Sequence, residues 1–340
     1  MILTLTTNPS MDRTVAISSP LARGAVQRAT HVTQESGGKG VNVSRALAQS
    51  GVPTLAILPG DDDDAVLAGL QSMSVPFLNL PVGAGLRINT AITEPDGTTT
   101  KINEPGPALS ADQLEALLDV VVTAADGADW LVLAGSLPPG VPPTFYTRVT
   151  AAVREAYGPK APLIAIDSSG EPLSEAAAGL PAPDLLKPNA EELSELTGVG
   201  SGDSLESDLD AAAQACRVLI EAGVGAVLAT LGSKGALLVT GAGAWHAVHP
   251  PITTRSTVGA GDSALAGYLL AHSAGELPEN CLRQAVAHGS AAAGLPGSTV
   301  PSLVQTTPSA VVVTPLQVTT SVTASRATGS VAGPTAQEEN

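Results

Sequence analysis

The sequence predicts a doubly wound α/β fold, with a mostly parallel sheet and a small β-hairpin lid set into it. Three observations carry that expectation. Short apolar runs alternate with helix-patterned stretches along most of the 340 residues. The runs are apolar on both sides, as parallel strands are when helices cover both faces of a sheet. One stretch instead shows a period-two pattern around Pro95-Asp96-Gly97, which marks a hairpin turn.

Taken in order, strands are expected at Ile2–Thr6, Thr54–Leu58, Trp130–Ala134, Leu163–Asp167, Asp184–Lys187 and Ala226–Leu231. Between them, helices are expected at Val41–Gln49, Ala65–Met73, Ala111–Ala125, Pro143–Ala156, Glu191–Leu196 and Leu209–Ala222. Two later helices, Ala260–His272 and Glu279–Gly294, close the globule. Strand, helix, strand, repeated, is the signature of the doubly wound sheet. The hairpin from Leu86 to Asn103 is an insertion, and insertions at strand ends are where lids sit. The length suits one large domain over residues 1–300. From Pro301 the text is rich in Thr, Ser, Val and Pro without a period. A weakly ordered terminal element is therefore expected over 301–316, and a disordered tail over 317–340.

Thirty-two acids against 16 bases give a net charge of −16, which argues against nucleic acid or an anionic membrane as partner. Phosphate ligands stay open, because a pocket needs only two or three cations and some free N–H groups. Aromatic residues at 2% leave little for base-stacking platforms. Cys216 and Cys281 are too few for a disulfide framework or a structural zinc site and read as buried thiols. No apolar run reaches a membrane-spanning length, and the first residues show no signal-peptide pattern, so a cytoplasmic location is expected.

Four segments concentrate glycine at a strand end or a helix start. They are Ser36-Gly37-Gly38-Lys39-Gly40-Val41-Asn42, Gly135-Ser136-Leu137-Pro138-Pro139-Gly140, Lys187-Pro188-Asn189-Ala190-Glu191-Glu192 and Ser256-Thr257-Val258-Gly259-Ala260-Gly261-Asp262-Ser263. At such places free backbone N–H groups and the helix dipole attract anions. Each also has a plainer reading. Gly37–Gly40 could be a tight turn, and Lys39 followed by Gly40 is not a Walker A loop. Asn189 with Glu192 could be a capping box, and Asp262 a first-turn acid. Gly259-Ala260-Gly261 fits the dinucleotide fingerprint only loosely, with no buried strand before it. Asp61–Asp64 reads as a solvated helix start.

SGGKGVNVSRAL resembles the N-terminal signature of the ribokinase/PfkB carbohydrate kinases, and STVGAGDSALAGYL resembles their C-terminal signature. TLTTNPSMD, GSLPPGVP, DSSGEPL, LLKPNAEEL and TLGSKGALL follow the phosphosugar branch of that family, in order, over residues 1 to about 300. The resemblance implies a ribokinase-like fold with lid strands from about 10–35 and 86–104. It implies ATP-dependent phosphorylation of fructose 1-phosphate to the 1,6-bisphosphate, with fructose 6-phosphate or tagatose 6-phosphate as alternative acceptors. Two other classes compete. One is a silent sugar-phosphate-binding regulator, which the intact Asp262, glycine loop and Asn189/Glu192 speak against. The other is a dinucleotide-dependent dehydrogenase.

Residue by residue, the resemblance makes Asp262 the general base and Gly259, Ala260 and Gly261 the anion hole for the moving phosphoryl. Asp12, Gly38, Lys39, Asn42 and Asn103 would face the sugar, while Arg87, Lys39 and Ser136 would take its phosphate. Lys187, Thr230, Gly232, Ser233 and Gly235 would line the nucleotide's phosphates and ribose, and Ser256, Val258 and Ser290 the adenine. Asn189 and Glu192 would hold Mg2+ through water, and the lid would pair two copies as a homodimer. Arg87 keeps a plainer alternative, a solvated charge on a hairpin. Leu86 departs from the family's usual Thr, and His288 stands for a small residue near the adenine end, as packing or as a narrower base pocket.

Overall fold

The structure, a computed structural model, describes residues 1–316; the expected tail at 317–340 lies outside the described residues. The chain opens with β1 (Ile2–Thr6), then β2 (Ser10–Ile17), β3 (Ala29–Gly37) and α1 (Lys39–Gln49). There follow β4 (Thr54–Pro59), α2 (Ala65–Ser72), β5 (Phe77–Leu80), β6 (Arg87–Thr93), β7 (Thr99–Asn103) and α3 (Ala111–Ala124). Next come β8 (Trp130–Ala134), α4 (Phe145–Tyr157), β9 (Leu163–Asp167), α5 (Gly170–Ala178), β10 (Leu185–Leu186) and α6 (Ala190–Thr197). The last part runs α7 (Gly202–Ser207), α8 (Leu209–Glu221), β11 (Ala226–Thr230), β12 (Ala236–Thr240), β13 (Gly243–Val248), α9 (Ala260–Ser273), α10 (Pro278–Ala293) and β14 (Val312–Pro315).

The large sheet has the order β14-β13-β12-β11-β10-β9-β8-β1-β4-β5. From β5 to β11 all pairings are parallel; β12, β13 and β14 add an antiparallel edge. Strand alternation sorts its side chains into two helical layers. Leu3, Leu5, Leu131, Leu133, Ile164 and Ile166 join one core with residues of α3, α4, α6 and α8. Ile2, Trp130, Val132 and Ala165 join another with residues of α1, α9 and α10. Full burial on both faces explains why these strands read as unbroken apolar runs.

A second sheet, β3-β2-β6-β7, forms the lid. In register, Asp12 lies beside Asn89 and Glu35, and Asn89 beside Asn103, so these residues share one face. The next residues along, Met11, Ile88 and Ser36, belong to the other face, where Met11 packs against the small core under α2.

Some elements differ from the expectation. Helix α1 starts at Lys39, two residues before Val41, because Gly38 (φ 111°) takes the cap position. Strand β10 shrinks from Asp184–Lys187 to two residues, flanked by Pro183 and Pro188, which have no N–H for a ladder. Strands β5, β12, β13 and β14 and helices α5 and α7 were not anticipated; several are short or half-exposed, so their periodicity is weak. Residues 301–316 hold two single 3-10 turns, Leu303–Gln305 and Pro308–Ala310, and β14 on the β13 edge. Cys216 and Cys281 are free and buried.

Candidate active site

Because β1, β8, β9, β10 and β11 run parallel, their C-terminal ends share one edge. Sheet order grows from β1 toward β4 and β5 on one side and toward β8 on the other. The crevice between such diverging connections is where doubly wound sheets bind ligands. Thr6, Gly135, Asp167, Lys187 and Thr230 all end or follow strands at this edge.

At its centre is a well of opposed charges. Asp167, wholly buried at the end of β9, accepts from Lys39 Nζ at 2.6 Å and pairs with Lys187 Nζ at 3.1 Å. Lys39 Nζ also lies 3.7 Å from Glu192 Oε1. Burial would push the Lys39 ammonium down, but Asp167 and Glu192 together hold it above its usual range. Burial likewise opposes ionisation of Asp167, and the two lysines outweigh it, keeping the carboxyl below the ordinary aspartate value.

Asp262 occupies the first turn of α9, buried, after Gly259, whose φ of 74° suits the sharp entry to the helix. Asn42 Nδ2 donates to Asp262 Oδ2 at 2.8 Å. Burial, then the nearby Asp167 charge, push the Asp262 carboxyl up to about 6, against the opposing pull of Asn42, Lys187 and Lys39. The group is thus a carboxylate at neutral pH with an affinity for protons well above that of a free aspartate. A Cβ on Gly261 would stand 3.3 Å from Lys187 Nζ, so that ammonium borders the loop of Gly259, Ala260 and Gly261.

The lid supplies the other end of the crevice. Arg87 is partly buried and donates to the carbonyls of Asn8 (2.9 Å) and Glu104 (3.3 Å). Burial lowers its pKa and Asp12 pulls it back up. These contacts set aside the solvated-charge alternative. Asn8 Nδ2 donates to Ser136 Oγ at 3.4 Å, which brings Arg87 and Ser136 into one cluster. Asp12 Oδ1 accepts from Ser10 Oγ and Asn89 Nδ2. A Cβ on Gly37, the last residue of β3, would lie 2.2 Å from Asp12 Oδ2 and displace that carboxylate. Arg87 Nε, Asn8 Oδ1 and Asn89 Oδ1 are buried without a hydrogen-bond partner. Buried polar atoms are almost always satisfied, so three orphans in one place fit a polar ligand. Asn103 shares the Asn89 face but is exposed.

Asn189 and Glu192 do form a capping box: each side chain accepts from the other's backbone N–H at 2.8 Å. Asn189 Oδ1 and Glu192 Oε2 are thereby engaged, and Glu192 Oε1 faces the well. Thr230 N–H donates to Pro188 O, holding the β11 end against this helix start. Gly232 and Ser233 are exposed in a 3-10 turn after β11, and a Cβ on Gly235 would meet Ala247 O at 1.9 Å, a demand of packing. Ser256 Oγ accepts from Val258 N–H, while Arg255 and Ser256 N–H donate to Ala293 O at the end of α10. Ser290 lies one residue past Gly289, which packs against Ala260.

Two expectations resolve toward packing. His288 is fully buried, lies against Gly267 and bonds with Ser50 at the end of α1, so it is interhelical packing. Asp64 caps α2, and Asp61 accepts from the N–H groups of Val82 and Gly83. Among the described residues no cluster of three or more His, Cys, Asp or Glu is arranged to hold a metal alone. Asp167, Asn8 and Asn89 received no role from the sequence. An acid closing an otherwise apolar strand, LIAID, was the available signal for Asp167.

Fold, glycine loops and charged well together are those of a phosphotransferase acting on a sugar. The pfkB family carbohydrate kinase profile matches residues 6–305, and the chain belongs to that family. A 1-phosphofructokinase from Haloferax volcanii is 33% identical over 89% of this chain and 94% of its own. The ATP-dependent 6-phosphofructokinase isozyme 2 of Escherichia coli is 34% identical over 86% and 92%. The crystal structure of phosphofructokinase-2 from Escherichia coli in complex with substrates and products superposes with a TM-score of 0.81, at 32% identity over 89% and 96%. No helix among the described residues is long and apolar enough to cross a membrane.

Proposed function

We propose that the protein transfers the γ-phosphoryl group of ATP to the free primary hydroxyl of fructose 1-phosphate, with Asp262 as general base. One observation carries the reading: a buried carboxylate, oriented by Asn42, opens α9 directly after a glycine loop beside Lys187. Phosphoryl transfer asks for little else than positioning, a proton acceptor and positive potential around the moving group. The N–H groups of Gly259 and Gly261 supply donors for the phosphoryl oxygens, Ala260 N–H between them reaches Thr257 O at a long 3.3 Å and can be shared, and Lys39 and Lys187 supply charge.

The substrate's existing phosphate fits the cluster of Arg87 and Ser136, where the buried Arg87 Nε is a donor without a partner. Asp12 and Asn89 on the same lid face suit sugar hydroxyls. The preference for fructose 1-phosphate draws on the relatives named 1-phosphofructokinase; a relative named for 6-phosphofructokinase keeps fructose 6-phosphate as the second reading. Initial rates with ATP and each of fructose 1-phosphate, fructose 6-phosphate and tagatose 6-phosphate separate them. The expected ranking puts fructose 1-phosphate at least about tenfold ahead in kcat/KM. Equal, low rates on all three would remove the substrate assignment.

The residues present fit Mg2+ arriving on the nucleotide. Hard oxygens suit the ion, and Glu192 Oε1 is the oxygen the capping box leaves free, with Asn189 beside it to bind the ion's water. When bound, Mg2+ neutralises charge on the phosphates. Glu192→Gln keeps the cap acceptor and removes the charge, so the Mg2+ concentration for half-maximal rate should rise several-fold, with rescue at high metal. An unchanged Mg2+ titration would leave Glu192 with its capping role alone.

The exposed apolar residues of the lid's outer face support a homodimer through the lid. Val32, Ile88 and Ile102 lie on the side away from Asp12 and are 42%, 36% and 58% exposed. Ile102→Asp should turn a dimer into a monomer in sedimentation velocity while leaving the circular dichroism spectrum unchanged. A monomeric wild-type protein would overturn the dimer.

A further inference from the structure

We propose that Arg45, which touches no expected substrate group, is a positioning residue that fixes the Asn42 amide against Asp262 and locks the lid to the same base. The inference rests on the general-base reading above and goes one shell outward from it.

Arg45 is on α1, one turn after Asn42, and is only 5% exposed. Its Nη1 donates to Asn42 Oδ1 at 3.1 Å and to Ser36 O at 3.0 Å. An amide side chain has two ends of opposite hydrogen-bonding sense, and the guanidinium can only donate. Arg45 therefore claims the oxygen of Asn42 and leaves the Nδ2 end for Asp262 Oδ2, at 2.8 Å. With that oxygen occupied, the donated bond to the carboxylate has a single orientation. Without Arg45, Asn42 Oδ1 would be a buried acceptor lacking its donor, in a residue only 4% exposed.

The same guanidinium faces the lid. Its Nη2 lies 3.3 Å from Glu35 Oε2, and Glu35 is on β3, opposite Asp12 in register. Glu35 in turn accepts from Ser298 Oγ at 2.5 Å and from Thr299 Oγ1 at 3.3 Å, in the segment after α10. A chain of contacts thus runs from the 298–299 segment through Glu35 and Arg45 to Asn42 and Asp262. The guanidinium itself bridges β3 and α1, and the 298–299 segment and α9 join through Glu35 and Asn42. The fork geometry of arginine spreads its donors over a rigid plane and serves three acceptors, Ser36 O, Asn42 Oδ1 and Glu35 Oε2, a span that the single nitrogen of a lysine does not cover.

If Arg45 acts through Asn42, its loss should appear in the chemical step. Arg45→Met is expected to lower kcat by about 10-fold to 100-fold, while KM for the sugar phosphate and for ATP change by less than about threefold. Arg45→Lys should recover part of that loss. The deciding comparison is a double-mutant cycle. In an Asn42→Ala background, where the amide is already gone, adding Arg45→Met should cost little further kcat. Multiplicative losses in the double variant would overturn the proposal, as would a wild-type kcat in Arg45→Met.

Arg45 is buried, so Arg45→Met could fail to fold; Glu35→Gln, at the partly exposed lid end, then provides the test. It removes the charge that holds the guanidinium from the lid side and should lower kcat several-fold in the same way, with the same dependence on Asn42. No kcat change in a folded Glu35→Gln protein would overturn the coupling to the lid. Asp262→Asn measured alongside distinguishes the two levels. Should Asp262→Asn stay active, the base reading itself falls; should it be inactive while the Arg45 and Glu35 variants are normal, only the positioning role falls.

Discussion

Asp262→Asn should reduce kcat by at least ~10²-fold, the loss expected when a general base is removed. The substitution keeps size and leaves a carbonyl oxygen to accept from Asn42 Nδ2, so the hydrogen bond that orients the side chain survives. What is lost is the basic site. Folding and binding of ATP and sugar phosphate should persist, since those contacts come from other residues. The same residue sets an acid limb. Burial and the Asp167 charge raise the Asp262 carboxyl to about 6, so as pH falls through that value the group takes up a proton and can no longer accept one. Wild-type kcat should therefore decline below about pH 6, and the Asn variant's residual rate should lack that limb. A purified variant retaining more than roughly a tenth of wild-type kcat would rule Asp262 out as the base.

Arg87→Ala should cost about 2–4 kcal/mol in kcat/KM for the sugar phosphate, or roughly 30-fold to 1,000-fold. The loss should fall mainly on KM for the sugar, with KM for ATP nearly unchanged. Arg87 is partly desolvated and already fixed by two backbone carbonyls, so little freedom remains to be lost when a phosphate arrives. Its unpartnered Nε is available for that ligand. Loss of the side chain also frees the carbonyls of Asn8 and Glu104, so thermal stability should be measured beside the kinetics. An unchanged sugar KM in a stable Arg87→Ala protein would return this residue to a structural role in the lid.

What the sequence disclosed follows from the range over which each signal acts. Central strands such as Trp130–Ala134 are buried on both faces, and continuous burial writes itself into consecutive residues. The same holds for the hairpin, whose turn chemistry is local at Pro95-Asp96-Gly97. The start of α1 was displaced because Gly38 serves as its cap through backbone conformation and not through a polar side chain. The glycine loops could be read as anion sites because each falls at a strand end or a helix start, where free N–H groups and the helix dipole attract anions.

The charged well was legible only in pieces. Lys39 and Lys187 were singled out separately, but their shared partner Asp167 lies 128 residues from Lys39, so no local pattern joins it to that lysine. Asn42 and Asp262 are 220 residues apart and meet only after the sheet has brought α1 and α9 together. At His288 the sequence left packing and a narrower base pocket open, and the ring is held by Ser50 and Gln284 between helices, the packing alternative.

The most direct test is the identity of the product. The purified protein, given ATP, Mg2+ and fructose 1-phosphate, should yield a bisphosphate with a second phosphate monoester on the C6 hydroxyl, followed by 31P NMR as ADP accumulates in equal amount. That product should fail to form at a comparable rate with the Asp262→Asn protein. ATP turnover without a new sugar phosphomonoester, or no turnover while fructose 6-phosphate is consumed readily, would contradict the assignment.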